Sequence, residues 1–131
     1  MQWPDNFPID CPPYDAYLPS TIIYMLVSSP INIELDFLSL YERDISVQDR
    51  FSHEPGLLCQ SRGLSVYEEK KDILRLRRRV RRLRNHAIGY RKITSDSGVI
   101  KPTSSRFGQS HRTWWVPVGV EPWNGFKIEE I

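Results

Sequence analysis

The sequence predicts a small α+β domain in which a mainly antiparallel sheet packs against one long basic amphipathic helix and a shorter helix. Three observations carry this. Residues 21–27 (TIIYMLV) form a β-branched and aromatic run bounded by Pro19 and Pro30, the pattern of a buried strand. Ile73, Leu76, Val80, Leu83 and Ala87 recur at spacings of 3, 4, 3 and 4, which places all five on one stripe of a helix. From residue 87 onward, short strand-like segments alternate with turn residues. A chain of 131 residues supports one core, and 40% apolar with 26% charged residues is a globular balance, so a single domain over 1–131 is expected.

Taken in order, the first element is an arm. Five of the ten prolines precede residue 20, and proline removes backbone donors and disfavours helix, so residues 1–19 read as extended. Trp3, Phe7, Tyr14 and Tyr17 give that arm too much apolar surface for a free tail, and it should lie on the body of the domain. The strand 21–27 follows. Asn32 as a cap, with Glu34 and Asp36 in a first turn, predicts a short helix. Residues 45–63 lack a sustained period and contain Pro55-Gly56, so they read as a loop. Residues 63–67 (GLSVY) are a short strand or the beginning of the basic helix, with Ser65 and Glu68 at capping-box spacing. Beyond the helix, 87–94 is a strand, Ser97-Gly98 a turn and 99–101 its partner strand, and 113–118 with 125–129 complete the sheet.

Net charge is only +2, but it is unevenly distributed: −3 over residues 1–29, −4 over 30–60, +9 over 61–94 and zero over 95–131. Arg75, Arg77, Arg78, Arg79, Arg81, Arg82 and Arg84 make seven mutual i,i+3 or i,i+4 pairs on a continuous helix. At ~0.2–0.5 kcal/mol each, that repulsion costs the helix about 1.5–3 kcal/mol. Burying Ile73, Leu76, Val80 and Leu83 returns about 1.5–3 kcal/mol apiece, so packing wins and the arginines are left on the outer side. Leu74 projects between Arg78 and Arg81 there. The candidate partner-binding residues are therefore Leu74, Arg75, Arg78, Arg79, Arg81 and Arg82; a Leu ringed by Arg suits an acidic protein partner at least as well as nucleic acid, and an acidic protein partner is the leading expectation. The alternative is that the acids of 30–60 neutralise these charges within the chain.

Several classes of function find no support. The longest apolar run is far short of the ~20 residues of a membrane span and no basic segment precedes it, so neither export nor insertion is expected. Cys11 and Cys59 lack a CxxC pair or a His at zinc-finger spacing and read as free thiols in a reducing, cytoplasmic compartment. His53, His86 and His111 are scattered, no Gly-rich phosphate loop is present, and no metal or cofactor is expected. The hydroxyls of Ser65, Tyr67 and the cluster 103–105 form no triad. His111, at the start of HRTWW, could serve as acid, base or ligand, and Trp114 and Trp115 should point to opposite faces of a strand, one into the core and one outward or into a cleft.

GLSVY followed by a helix, a strand, VIKPT and HRTWW resembles a small uncharacterised bacterial family with a GLSVY strand and an HxTWW strand. The resemblance covers roughly residues 20–126 and implies a bacterial origin and a compact domain. More remotely, the order of elements is similar to ADP-ribosyltransferase-like domains, which carry an aromatic or charged residue on an early strand, a Ser- or Tyr-bearing second strand and a late catalytic Glu. That similarity implies Tyr24, then Ser65 or Tyr67, then Glu121, with His111 beside them around an NAD-binding cleft. The leading expectation from the residues themselves is a non-enzymatic binding module of accessory, immunity or antitoxin type. Nucleic-acid binding through the same basic helix and an ADP-ribosyltransferase-like enzyme stand behind it.

Overall fold

A computed structural model describes residues 1–103 and 105–129. At its centre is strand β1 (Thr21–Val27), whose Ile23, Met25 and Val27 are buried on one face while Tyr24 and Leu26 are half-buried on the other. Strand β3 (Ala87–Ile93) runs antiparallel along its full length, Thr21 opposite Ile93 and Val27 opposite Ala87. On its other side β1 meets β2 (Leu64–Tyr67) at one register pair, Tyr24 opposite Tyr67. β2 pairs along its length with β5 (His111–Trp115), β4 (Val99–Pro102) lies beyond β5, and β6 (Lys127–Ile128) borders β3. The sheet is antiparallel, ordered β4-β5-β2-β1-β3-β6, and behaves as two three-stranded halves joined at a narrow β1–β2 seam. The α+β class is the one the alternation and the helical stripe predict.

The predicted hairpin between 87–94 and 99–101 does not form: β4 sits at the opposite edge, with Ile100 facing Trp114 across the β4–β5 pair. Both sides of β3 are already taken, by β1 and β6. Gly98 turns the chain away at φ 127°, where a Cβ would strike the Trp115 carbonyl oxygen, so the crossing needs glycine. The aromatic pair behaves differently from expectation too. Trp114 and Trp115 do point to opposite faces, but both are fully buried, and their indole N–H groups donate to the carbonyls of Ser97 and Cys59 at 2.9 Å each.

Helix assignments also shift. Asn32 does accept the N–H groups of Glu34 and Leu35, at 3.0 and 3.1 Å, yet only a turn follows. Asp36 points inward instead, taking Ser28 N, Ser28 Oγ and Asn32 N, which halts the spiral. The first helix is α1 (Leu40–Arg43), closed by a Ser39–Glu42 capping box. Residues 45–63, expected as loop, contain α2 (Val47–Arg50) and α3 (Pro55–Ser61), the latter started by Pro55 in its first turn.

The basic helix is shorter than its stripe suggests. α4 spans Lys70–Arg79; Val80 is extended (φ −106°, ψ 109°), and Arg81–Leu83 form a 3-10 turn. Ala87 has to reach its place opposite Val27, whereas seven further helical residues would carry the chain about 10 Å onward. The break also relieves repulsion, since only the Arg75–Arg78 and Arg75–Arg79 pairs remain inside α4. Its seam still faces the sheet: Ile73 is 2% exposed and packs with Tyr67 and Ile88, and Leu76 adds to them half-buried. Leu74, predicted on the outer face, also packs partly into this cluster, while Ala87 belongs to β3 and not to the helical stripe.

On the opposite face the core of Ile23, Val27, Phe37, Val66 and Trp114 is covered by Trp123 and Phe126. The arm runs over the body, Tyr17 exchanging two 2.9 Å backbone hydrogen bonds with Ile100. Cys11 and Cys59 are joined in a disulfide with Cα atoms 5.4 Å apart, which corrects the free-thiol reading. A pairing across 48 residues leaves no local trace in sequence, and the thiol argument for a reducing compartment falls away with it. Among the described residues no helix is long and apolar enough to cross a membrane.

Candidate functional site

On the α4 side of the sheet, against β2 and the neighbouring end of β1, lies a cavity of about 520 Å³. Register explains what reaches it. Tyr67 faces His111 and Ser65 faces Thr113 across the β2–β5 pair, so side chains at these positions share one face. Ser65, Tyr67 and His111 line the cavity, Ile73 and Leu76 from α4 and Leu57 from α3 wall it, and Arg82 and Leu83 come from the 3-10 turn. Ser105 and Phe107 contribute from the loop before β5. The interior is largely apolar with a few convergent polar groups, and its volume is that of a small-molecule site.

His111 is the most defined of these groups. It is 6% exposed and meets the Tyr67 ring edge-on at 5.0 Å. Its Nδ1 lies 3.2 Å from the Thr103 carbonyl oxygen and 2.7 Å from Thr103 Oγ1. A carbonyl only accepts, so Nδ1 carries the proton and Nε2 is left as an acceptor. No hydrogen-bond partner for Nε2 is present among the described residues. Thr103 Oγ1 in turn lies 3.0 Å from Thr113 Oγ1. Burial holds the imidazole pKa below 6.5, against the Thr103 carbonyl, which favours the charged form, and Arg112 lowers it further. Burial likewise raises the Tyr67 phenol, whose hydroxyl pairs with Ser105 Oγ at 2.8 Å, so it stays neutral. Of the hydroxyl cluster 103–105, Ser104 lies outside the described residues.

A second set of contacts, which sequence reasoning missed, fixes the loop that roofs this cavity. Asp72, 2% exposed in the first turn of α4, accepts Ser110 N at 3.1 Å and Ser110 Oγ at 2.7 Å. Burial opposes its ionisation, but the two Ser110 hydrogen bonds, with Arg75 and Lys71 nearby, hold its carboxyl below the usual range. Gly108 admits this approach, since a Cβ there would overlap the Asp72 carboxylate. Arg75 donates to the Phe107 carbonyl at 3.0 Å. Ser110 Oγ also accepts the Glu69 N–H at 3.0 Å, doing for the helix start what the predicted Ser65–Glu68 box does not, because Ser65 lies within β2. A serine 38 residues from its aspartate gives no local signal.

The remaining candidates fall elsewhere. Glu121 is exposed in the loop after β5, where its backbone carbonyl accepts Arg91, and it does not line the cavity. Tyr24 lies on the cavity face of β1, its ring 6.4 Å from that of Tyr90. Among the arginines, Arg75 reaches Asp72 at 3.8 Å and Arg77 donates to the His86 carbonyl. Arg78, Arg79, Arg81, Arg82 and Arg84 are exposed, and none has a carboxylate within 4.0 Å among the described residues. Asp36 is engaged by Ser28 and Asn32, and Asp44 by Ser46 and Arg50. Arg77, Arg78 and Arg84 surround Leu74 in a shallow hollow of about 370 Å³. No group of three or more His, Cys, Asp or Glu that could hold a metal occurs among the described residues. In comparisons with known proteins, no family model, no curated protein and no solved structure matches the chain.

Proposed function

We propose that this protein is a binding module for a nucleotide-sized ligand, held in the cavity on the α4 side of the sheet. The observation that supports it is the convergence of Ser65, Tyr67 and His111, from two strands far apart in sequence, on one apolar cavity with Arg82 at its edge. An aromatic wall suits a planar ring, the Ser65 hydroxyl and His111 Nε2 suit its polar edge, and a guanidinium suits a phosphate. The resemblance to ADP-ribosyltransferase-like domains points the same way, with Tyr24 and Tyr67 opposite each other on β1 and β2. The late acid is what is missing, since Glu121 is outside the cavity, and this favours binding over group transfer.

Thermal unfolding with 1 mM NAD, ADP-ribose or AMP tests this. At least one should raise the midpoint, as any ligand selective for the folded state must. His111→Gln should reduce the shift while leaving the far-UV spectrum unchanged. If none of the three probes moves the midpoint or perturbs the His111 and Tyr67 ring resonances, the reading fails.

A second reading, an ADP-ribosyltransferase-like enzyme, is favoured by one feature: a neutral His111 whose Nε2 can take a proton. Release of nicotinamide from NAD, lost in His111→Gln, is its signature, and intact NAD after prolonged incubation with a range of acceptors would count against it.

A further inference from the structure

We infer that the arginine ridge formed by the end of α4 and the 3-10 turn holds the phosphate backbone of a nucleic acid. The segment 70–86 carries seven arginines and two lysines against one acid, Asp72, and that acid is committed to Ser110. Five guanidiniums, those of Arg78, Arg79, Arg81, Arg82 and Arg84, are exposed and meet no carboxylate within 4.0 Å among the described residues. Clustering like charges in this way weakens the fold only slightly per close pair and concentrates a positive potential on one stretch of surface, which attracts anions.

The choice between nucleic acid and acidic protein rests on what accompanies the charge. A protein interface relies on buried apolar and aromatic anchors ringed by polar groups. None of the exposed large hydrophobic residues falls between 74 and 86; they lie on the arm, on β1, between residues 33 and 57 and at Val118. Leu74, the apolar anchor that the sequence suggested, is drawn partly into the core and remains only as the floor of the hollow among Arg77, Arg78 and Arg84. Phosphate recognition needs no such anchor, because guanidinium–phosphate pairing and counterion release supply the affinity. The break at Val80 adds geometry: it turns Arg81, Arg82 and Arg84 out of the helical repeat, so the charges follow a bend and not a single helical face. A flexible single strand follows such a path more readily than a straight duplex. This inference does not depend on the cavity, whose lining includes Arg82 but not Arg78 or Arg84.

Fluorescence anisotropy with a labelled 20-nucleotide single strand, and with the matching duplex, tests it. Binding at 50 mM salt should weaken roughly 100-fold by 200 mM if about five phosphates are engaged by the single strand. Arg78→Glu with Arg84→Glu should weaken binding at least tenfold and lower the salt dependence by about 1.4 log units per log unit of salt. Arg79→Gln with Arg81→Gln provides a milder pair should the first disturb folding. The NAD response of the Arg78/Arg84 variant should be unaltered, which separates failure of the ridge from failure of the cavity. No binding to either oligonucleotide at 50 mM salt overturns the inference. Poly-glutamate bound as tightly as the oligonucleotide, with the same loss in the variant, overturns it in favour of an acidic protein partner.

Discussion

Two hollows of similar size flank the sheet, about 610 Å³ between the N-terminal arm and the 33–42 and 116–123 segments, and about 520 Å³ beside α4. Volume does not distinguish them. In the first, most polar groups answer one another: Ser39 and Glu42 form a capping box, and Arg62 lies over the Tyr41 ring at 3.3 Å while its two terminal nitrogens donate to Gln48 Oε1 and the Asn6 carbonyl. In the second, Ser65 Oγ and His111 Nε2 have no partner among the described residues. Pairing alone does not separate them, because Ser65 is exposed and the buried Arg62 Nε on the arm side has no partner. What the α4 side adds is a buried imidazole, set edge-on to the Tyr67 ring, whose Nε2 is left as an acceptor beside the cavity, and that is the group to which a ligand contributes something.

That contrast can be broken experimentally. Phe37 belongs to the arm side, 6% exposed and edge-on to both Trp123 and Phe126. Phe37→Ala should cost about 3–5 kcal/mol in denaturant unfolding and leave the affinity of the folded protein for a nucleotide probe unchanged. A loss of affinity larger than the loss of stability would show the two hollows to be one system. On the α4 side, Asp72→Asn should cost about 1.5–3 kcal/mol by weakening its charge-assisted hydrogen bonds with Ser110. Because the folded carboxyl titrates below its ordinary 3.8, its contribution is complete above that value and disappears as pH falls further, so the difference between the two proteins should shrink in acid. A difference independent of pH would remove the charge from the explanation.

The smallest effect concerns His111. Its folded pKa is depressed below 6.5, so the neutral ring persists to that pH and is lost as pH falls through the lower folded value. Probe binding should therefore be flat between pH 8 and 6.5 and decline only below. Half of the affinity already gone at pH 6.5 would mean that an unperturbed histidine, or another group, controls the site.

Sequence alone determined what depends on neighbours along the chain. The β-branched run at 21–27 announced a strand, the start of the apolar stripe at Ile73 and Leu76 announced a helix facing inward, and 87–94 carried a strand pattern, because periodicity is a local property. The end of α4 at Arg79, the placement of β4 beside β5, the Cys11–Cys59 bond and the meeting of Ser65, Tyr67 and His111 were decided by tertiary structure. Each depends on strand register or on contacts between residues tens of positions apart, and a short window of sequence holds no energy term for a partner it does not contain.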